Sequence, residues 1–199
     1  MKSTNHKPML VDCDGVLVSW VDSFRSWMAA RGFPEKDESA YSISQKYGLP
    51  KDLSDTLTRD FCDSDAIADL HPFPRTVDVV RKLHFVHGYR FTVITSLSDN
   101  PRTLTKRRAN LYKVFGPEPF EDIICLPHDA KKDSVLSRWK NSGLWWIEDV
   151  PQNAEAGIDL GLRSILINRP YNLDTPTRAL RVHNWDEILA ITTHDSGRP

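Results

Sequence analysis

Val11-Asp12-Cys13-Asp14-Gly15-Val16 closes an apolar run over residues 8–13, and the rest of the chain can be read outward from it. The run is short, apolar and bounded by polar residues, which predicts a buried strand. Two carboxylates two residues apart leave a strand end in similar directions, because side chains alternate faces. Close like charges raise each other's proton affinity unless a cation lies between them, so the pair implies a bound metal or a shared proton. The glycine that follows, Gly15, lets the backbone turn and bring its N–H groups to an anion. For phosphoryl transfer such an arrangement supplies a carboxylate nucleophile, a second carboxyl to protonate the leaving oxygen, and a seat for Mg2+. A calcium loop of the EF-hand kind fails, because Leu10 stands where its first acid belongs and its twelfth position holds no glutamate.

Beyond this segment, apolar runs at residues 90–95, 122–126, 144–148 and 164–167 read as further buried strands. Helical spacing over residues 76–87, 102–115, 132–141, 152–160 and 186–191 separates them, with Gly88, Gly116 and Gly161 placed past helix ends. Such alternation predicts an α/β fold: a three-layer, Rossmann-like parallel sheet with ligands at the carboxyl ends of its strands. About sixty residues separate the first strand from the helix at Thr76, too many for a simple connection. Trp20, Phe24, Trp27 and Met28 fall on one helical face there, and residues 53–70 have weaker helical character. We therefore expect a small helical cap inserted after the first strand. The expected division is a core of residues 8–18 and 74–192, a cap of 19–73 closing at His71-Pro72-Phe73-Pro74, and flexible tails at 1–7 and 193–199.

Three more segments carry chemistry. Phe91-Thr92-Val93-Ile94-Thr95-Ser96 ends in two hydroxyls that can donate to a phosphate, although such residues also simply end strands. Lys131-Lys132-Asp133 puts cations at a helix start, where the dipole favours anions; a ligand or a solvated basic pair accounts for that. Leu144-Trp145-Trp146-Ile147-Glu148-Asp149 ends a buried strand in two acids, for which a bound cation is the economical explanation. Trp20, Phe24 and Trp27 can stack a substrate base or form the core of the cap. The basic residues Arg102, Lys106, Arg107, Arg108 and Lys113 read as a solvated helix face.

A formal net charge of -1 gives no basic field, so nucleic acid is not an expected partner and small ligands are. No apolar run approaches a membrane span, and residues 1–7 have no signal-peptide core. The three cysteines form no CxxC pair. A cytoplasmic protein is expected, with a homodimer left open.

In this order, the four segments resemble the haloacid dehalogenase superfamily over roughly residues 8–189. Asp12-x-Asp14-Gly15 is similar to its first motif, Thr95 with Ser96 to its second, Lys132 to its third, and Glu148-Asp149 to its fourth. The resemblance implies a Mg2+-dependent phosphatase in which Asp12 forms an aspartyl-phosphate and Asp14 is the acid and base. It implies Mg2+ on the Asp12 carboxylate, the Asp14 backbone carbonyl and Asp149, with Glu148 nearby, and phosphate on Thr95, Ser96, Lys132 and Gly15. Dehalogenating members lack the second aspartate, which favours phosphomonoesters. Within the superfamily, residues 12–20, 71–74 and 167–172 look like the 5'(3')-deoxyribonucleotidases, implying (deoxy)nucleoside monophosphates as substrates and Trp20, Phe24 and Trp27 as cap contacts. Sugar phosphates, nucleic-acid 3' ends and a non-catalytic phosphate- or metal-binding module are the alternatives.

Overall fold

A computed structural model describes residues 6–128 and 130–194. Strand β1 (Lys7–Val11) lies at the centre of a six-stranded sheet, flanked by β2 (Tyr89–Ser96) and β4 (Trp145–Glu148). β3 (Phe120–Leu126) lies outside β2, while β5 (Arg163–Ile167) and β6 (Leu180–Val182) continue beyond β4, and all pairings are parallel. The chain winds outward from β1 through β2 to β3 and then returns to β4 on the other side. The direction of winding reverses between β1 and β4, and that is where open α/β sheets form their ligand crevice.

Alternation along β1 divides the interior. Met9 and Val11 join the larger core with Val79, Val80, Leu83, Leu111 and Trp185, whereas Leu10 joins Ile94, Leu136 and Trp146 on the opposite face. Both faces are thus covered, as an all-parallel sheet requires. The helices are α4 (Thr76–Phe85), α5 (Pro101–Phe115), α6 (Asp133–Leu136), α7 (Pro151–Asp159) and α8 (Trp185–His194). The Asn100 side chain caps α5 by accepting from Arg102 N at 3.0 Å, and Pro101 fills the first turn, where no N–H is needed.

Three helices occupy the long interval after β1: α1 (Trp20–Ala29), α2 (Ile43–Tyr47) and α3 (Lys51–Asp63), followed by a 3-10 turn at Asp65–Asp69. The chain leaves and re-enters the sheet layer side by side. Ser19 N donates to His71 O at 2.9 Å, Phe73 N to Leu17 O at 3.3 Å, and Val18 bridges Pro72. Helix α5 holds the far end of these helices: Thr103 Oγ1 donates to Asp63 Oδ1 at 2.6 Å, and Asn110 Nδ2 to Leu70 O at 2.9 Å.

Some expected elements differ. The helix expected over residues 132–141 stops at Leu136 and gives way to a 3-10 turn, because Asn141 N and Gly143 N are taken by the carbonyls of Leu160 and Gly161. β6 was not anticipated, being three residues long with an exposed first side chain. Most of the expected tails, residues 1–5 and 195–199, lies outside the described residues, while Lys7 belongs to β1 and Thr193 and His194 to α8.

Candidate active site

Asp12 directly follows β1, and its N–H continues the β1–β4 ladder by donating to Ile147 O at 2.9 Å. Both Leu17 N and Val18 N bond back to Cys13 O, so the chain makes a tight turn that leaves Asp14 beside Asp12 and sends the backbone toward α1. Thr95 and Ser96 end β2, Lys132 precedes α6, Glu148 ends β4 and Asp149 follows it. The fold thus gathers residues from four separate segments at one rim of the sheet. A cavity of about 770 Å³ opens there, lined by Asp12, Asp14, Thr95, Lys132 and Asp149 among others, with Trp20 and Tyr41 on its outer wall.

The ligand atoms of Asp12, Glu148 and Asp149 lie within 4.8 Å of one another, and all three residues are buried. Lys132 Nζ sits 2.7 Å from both Asp12 Oδ1 and Glu148 Oε1. Glu148 is further bound by Asn153 Nδ2 at 2.7 Å and by the N–H groups of Asp149 and Val150 at 2.6 and 2.7 Å. Those contacts fill its acceptor positions. Burial pulls upward on its proton affinity, but the Lys132 charge and the hydrogen bonds outweigh that and hold the carboxyl below its ordinary range. Asp12 is the reverse case: burial pushes it up to about 7 against the opposing pull of Lys132. Burial, then the charges of Glu148 and Asp12, lift Asp149 well above the usual carboxylate range.

Fully ionised, three carboxylates and one ammonium leave two uncompensated negative charges. Asp149 Oδ1 is buried and has no hydrogen-bond partner among the described residues. An orphaned carboxylate oxygen in such a cluster is costly unless a cation meets it. Hard oxygen donors and a deficit of two charges fit a divalent ion such as Mg2+. The Thr95 hydroxyl is likewise buried, lies beside Asp14, and faces the same cavity.

Asp14 stands apart from the three-carboxylate cluster. Arg107 Nη2 lies 2.7 Å from both of its oxygens, and the guanidinium is completely buried. This overturns the reading of Arg107 as part of a solvated face. Thr103, Arg107, Asn110 and Leu111 share the buried side of α5, and that helical spacing is the signal that sets Arg107 apart from its exposed basic neighbours.

Gly15 also differs from expectation. Its N–H donates to Val18 O at 3.0 Å and is not offered to an anion. What the glycine provides is space and a φ of +80°: a Cβ would collide with Asp149 Oδ2 and come within 2.9 Å of the Tyr171 hydroxyl. Of the three expected cap contacts, Trp20 alone lines the cavity. Phe24, 1% exposed, stacks on Trp20 at 4.6 Å and packs edge-on against Tyr47 and Phe61. Trp27 adds to the same cluster, with Arg31 3.5 Å over its ring. The apolar burial of a small helical layer has claimed these two rings. Ser96 lines the cavity while its hydroxyl donates to Ala130 O at 3.1 Å, and Lys131 is exposed at the mouth.

The loop after β5 contributes residues to which the sequence assigned no role. The Tyr171 hydroxyl donates to Asp149 Oδ2, and Asn172 Nδ2 to Asp149 O at 2.7 Å. Arg169 Nε donates to Gly15 O at 2.7 Å, its guanidinium 3.7 Å over the Phe73 ring.

No protein-family model matches the sequence, and neither does any curated protein. Solved structures do. A haloacid dehalogenase-like hydrolase from Streptococcus pneumoniae has a TM-score of 0.65 at 17% identity, covering 94% of this chain and 98% of that one. A haloacid dehalogenase family hydrolase from Deinococcus radiodurans, solved with bound phosphate and sodium, has 0.59 at 16% identity, covering 96% of each chain. The L-2-haloacid dehalogenase from Xanthobacter autotrophicus has 0.58 at 10%, covering 94% and 98%. These likenesses show that the fold is haloacid dehalogenase-like, and hydrolases and dehalogenases share it. Among the described residues, no helix is long and apolar enough to cross a membrane.

Proposed function

We propose that the chain is a Mg2+-dependent phosphomonoester hydrolase acting through an aspartyl-phosphate on Asp12, with residues 19–73 as a cap over a core of 8–18 and 74–192. The observation that carries this reading is the convergence of Asp12, Asp14, Thr95, Lys132 and Asp149 on one cavity at the reversal point of the sheet. Asp12 and Asp149 are the side chains to hold the ion, and Glu148, with its acceptors filled, fixes Lys132 and the backbone beside them. When bound, Mg2+ neutralises charge on the phosphoryl oxygens and on the acids.

In the first half-reaction an Asp12 oxygen bonds to phosphorus as the ester P–O bond breaks, and Asp14 gives a proton to the leaving oxygen. In the second, Asp14 takes a proton from water, whose oxygen displaces Asp12 from phosphorus. Lys132 and the buried Thr95 hydroxyl bind the transferred oxygens, where preorganised donors lower the barrier. A dehalogenation chemistry would leave Asp14 without a task, and its paired, deliberate placement by Arg107 argues for the phosphatase.

The finer substrate, a (deoxy)nucleoside monophosphate, is supported by the size of the cavity and by a half-buried Trp20 on its wall. A substrate panel with Mg2+ and with chelator tests both levels. Hydrolysis of monophosphates that chelator abolishes is expected. Activity on sugar phosphates or oligonucleotide 3' ends alone would overturn the finer assignment, and no phosphatase activity on any arm would overturn the coarser one.

A further inference from the structure

The two oxygens of Asp149 are treated differently by the protein. Oδ2 accepts the Tyr171 hydroxyl, while Oδ1 is buried and has no partner among the described residues. Tyr171 is itself firmly placed. Its neighbour Asn172 bonds Asp149 O and Ile167 O at 2.7 and 2.9 Å, and accepts from Arg169 N at 3.0 Å. Gly15 leaves the room in which the Tyr171 hydroxyl and Asp149 Oδ2 meet, since any Cβ there would strike both.

We propose that Tyr171 is a selectivity residue of the cation site: by hydrogen-bonding Oδ2 it weakens and crowds that oxygen as a second donor, favours Asp149 as a one-oxygen ligand through Oδ1, and biases the site toward Mg2+ and against Ca2+. The physical ground is the difference between the two ions. Ca2+ accepts six to eight oxygens in flexible geometry and readily takes a carboxylate through both, whereas Mg2+ demands a compact octahedron of single oxygens. A carboxylate oxygen that accepts a phenol hydrogen bond keeps one lone pair but is a weaker and more crowded donor, which costs the bidentate mode of Ca2+ more than the single-oxygen mode of Mg2+. Outer partners of this kind also orient their ligand, and losing one commonly changes metal affinity by about 10- to 100-fold. The inference rests on the cation reading above, but it concerns which ion is held rather than which reaction follows.

The test is calorimetric titration of the full chain, substrate-free, with MgCl2 and separately with CaCl2, for wild type and Tyr171→Phe. Phenylalanine keeps the ring and removes only the donor. Wild type is expected to bind Mg2+, and the variant to show a Mg2+/Ca2+ affinity ratio lower by about tenfold, with Ca2+ binding unchanged or tighter. Tyr171→Leu, which also removes the ring, should give the same ratio. If Tyr171→Phe proves unstable, the stabilisation of melting temperature by each ion in Tyr171→Leu reads the same ratio. Equal ratios in wild type and both variants overturn the selectivity role while leaving the phosphatase reading intact. A wild type that binds neither ion overturns both.

Discussion

Replacing Asp12 with asparagine removes the proposed nucleophile and also a buried titrating group, so its two effects are separable. Burial raises the Asp12 carboxyl from 3.8 to about 7 in the folded chain. In the absence of divalent ions, the folded chain between those values holds a proton that the unfolded chain has released. Stability contributed by this group is therefore present at low pH and lost as pH rises toward 7, at roughly 1.4 kcal/mol per unit. Between about pH 5 and about pH 8 the loss amounts to roughly 2–3 kcal/mol. Asparagine does not titrate, and with that charge gone Asp149 is eased in the same direction. Urea unfolding in chelator at the two pH values should therefore show a smaller drop for Asp12→Asn than for wild type, by about 2 kcal/mol or more. Turnover should be abolished while the far-UV spectrum is unchanged. Equal pH dependence in the two proteins would refute the claim that Asp12 is held in the fold at an electrostatic cost, and wild-type hydrolysis by the variant would refute its role.

Other variants probe other contacts. Arg107→Met leaves Asp14 without its partner; since Asp14 remains about one-fifth exposed, the stability loss should be about 3 kcal/mol or less, and kcat should fall more than KM rises, measured by steady-state kinetics. Gly15→Ala forces a side chain onto Asp149 and Tyr171 at a positive φ, and should cost ~1–3 kcal/mol in denaturant unfolding and weaken Mg2+ binding in calorimetry. Trp20→Ala should raise KM for nucleoside monophosphates by about tenfold, with little change for a small aliphatic phosphomonoester, if its ring meets a base.

The strands and the order of helices were legible because burial on both faces of a parallel sheet writes apolar runs into the chain, as at residues 90–95 and 164–167. A three-residue edge strand such as Leu180–Val182 writes no such run. The acids at positions 12, 14, 148 and 149, with Lys132, were legible because charge at the end of an apolar strand has few explanations. Arg107 was not, since a basic helix looks solvated until the fold brings Asp14, 93 positions earlier, against its buried side. Tyr171 lies in the segment 167–172 that carries part of the finer resemblance, yet no role followed for it: a tyrosine after a strand has many uses, and the hydrogen bond to Asp149 is a product of a loop pinned by Asn172. At Gly15 the pattern was read correctly as a special backbone position, but for the wrong reason. Its N–H serves the turn, and its missing side chain serves the site. Phe24 and Trp27 illustrate a limit of periodicity, because the spacing that lines a pocket with aromatics is also the spacing that packs them together.

The central claim, that phosphorus passes through a covalent bond to Asp12, is tested most directly by acid-quenching the protein during incubation with a labelled phosphomonoester and Mg2+ and mapping the label by peptide mass spectrometry. Label on the peptide containing Asp12, lost on treatment with hydroxylamine and absent from Asp12→Asn, is the predicted result. Steady hydrolysis with no labelled protein in the quench, or with label on another residue, would contradict it.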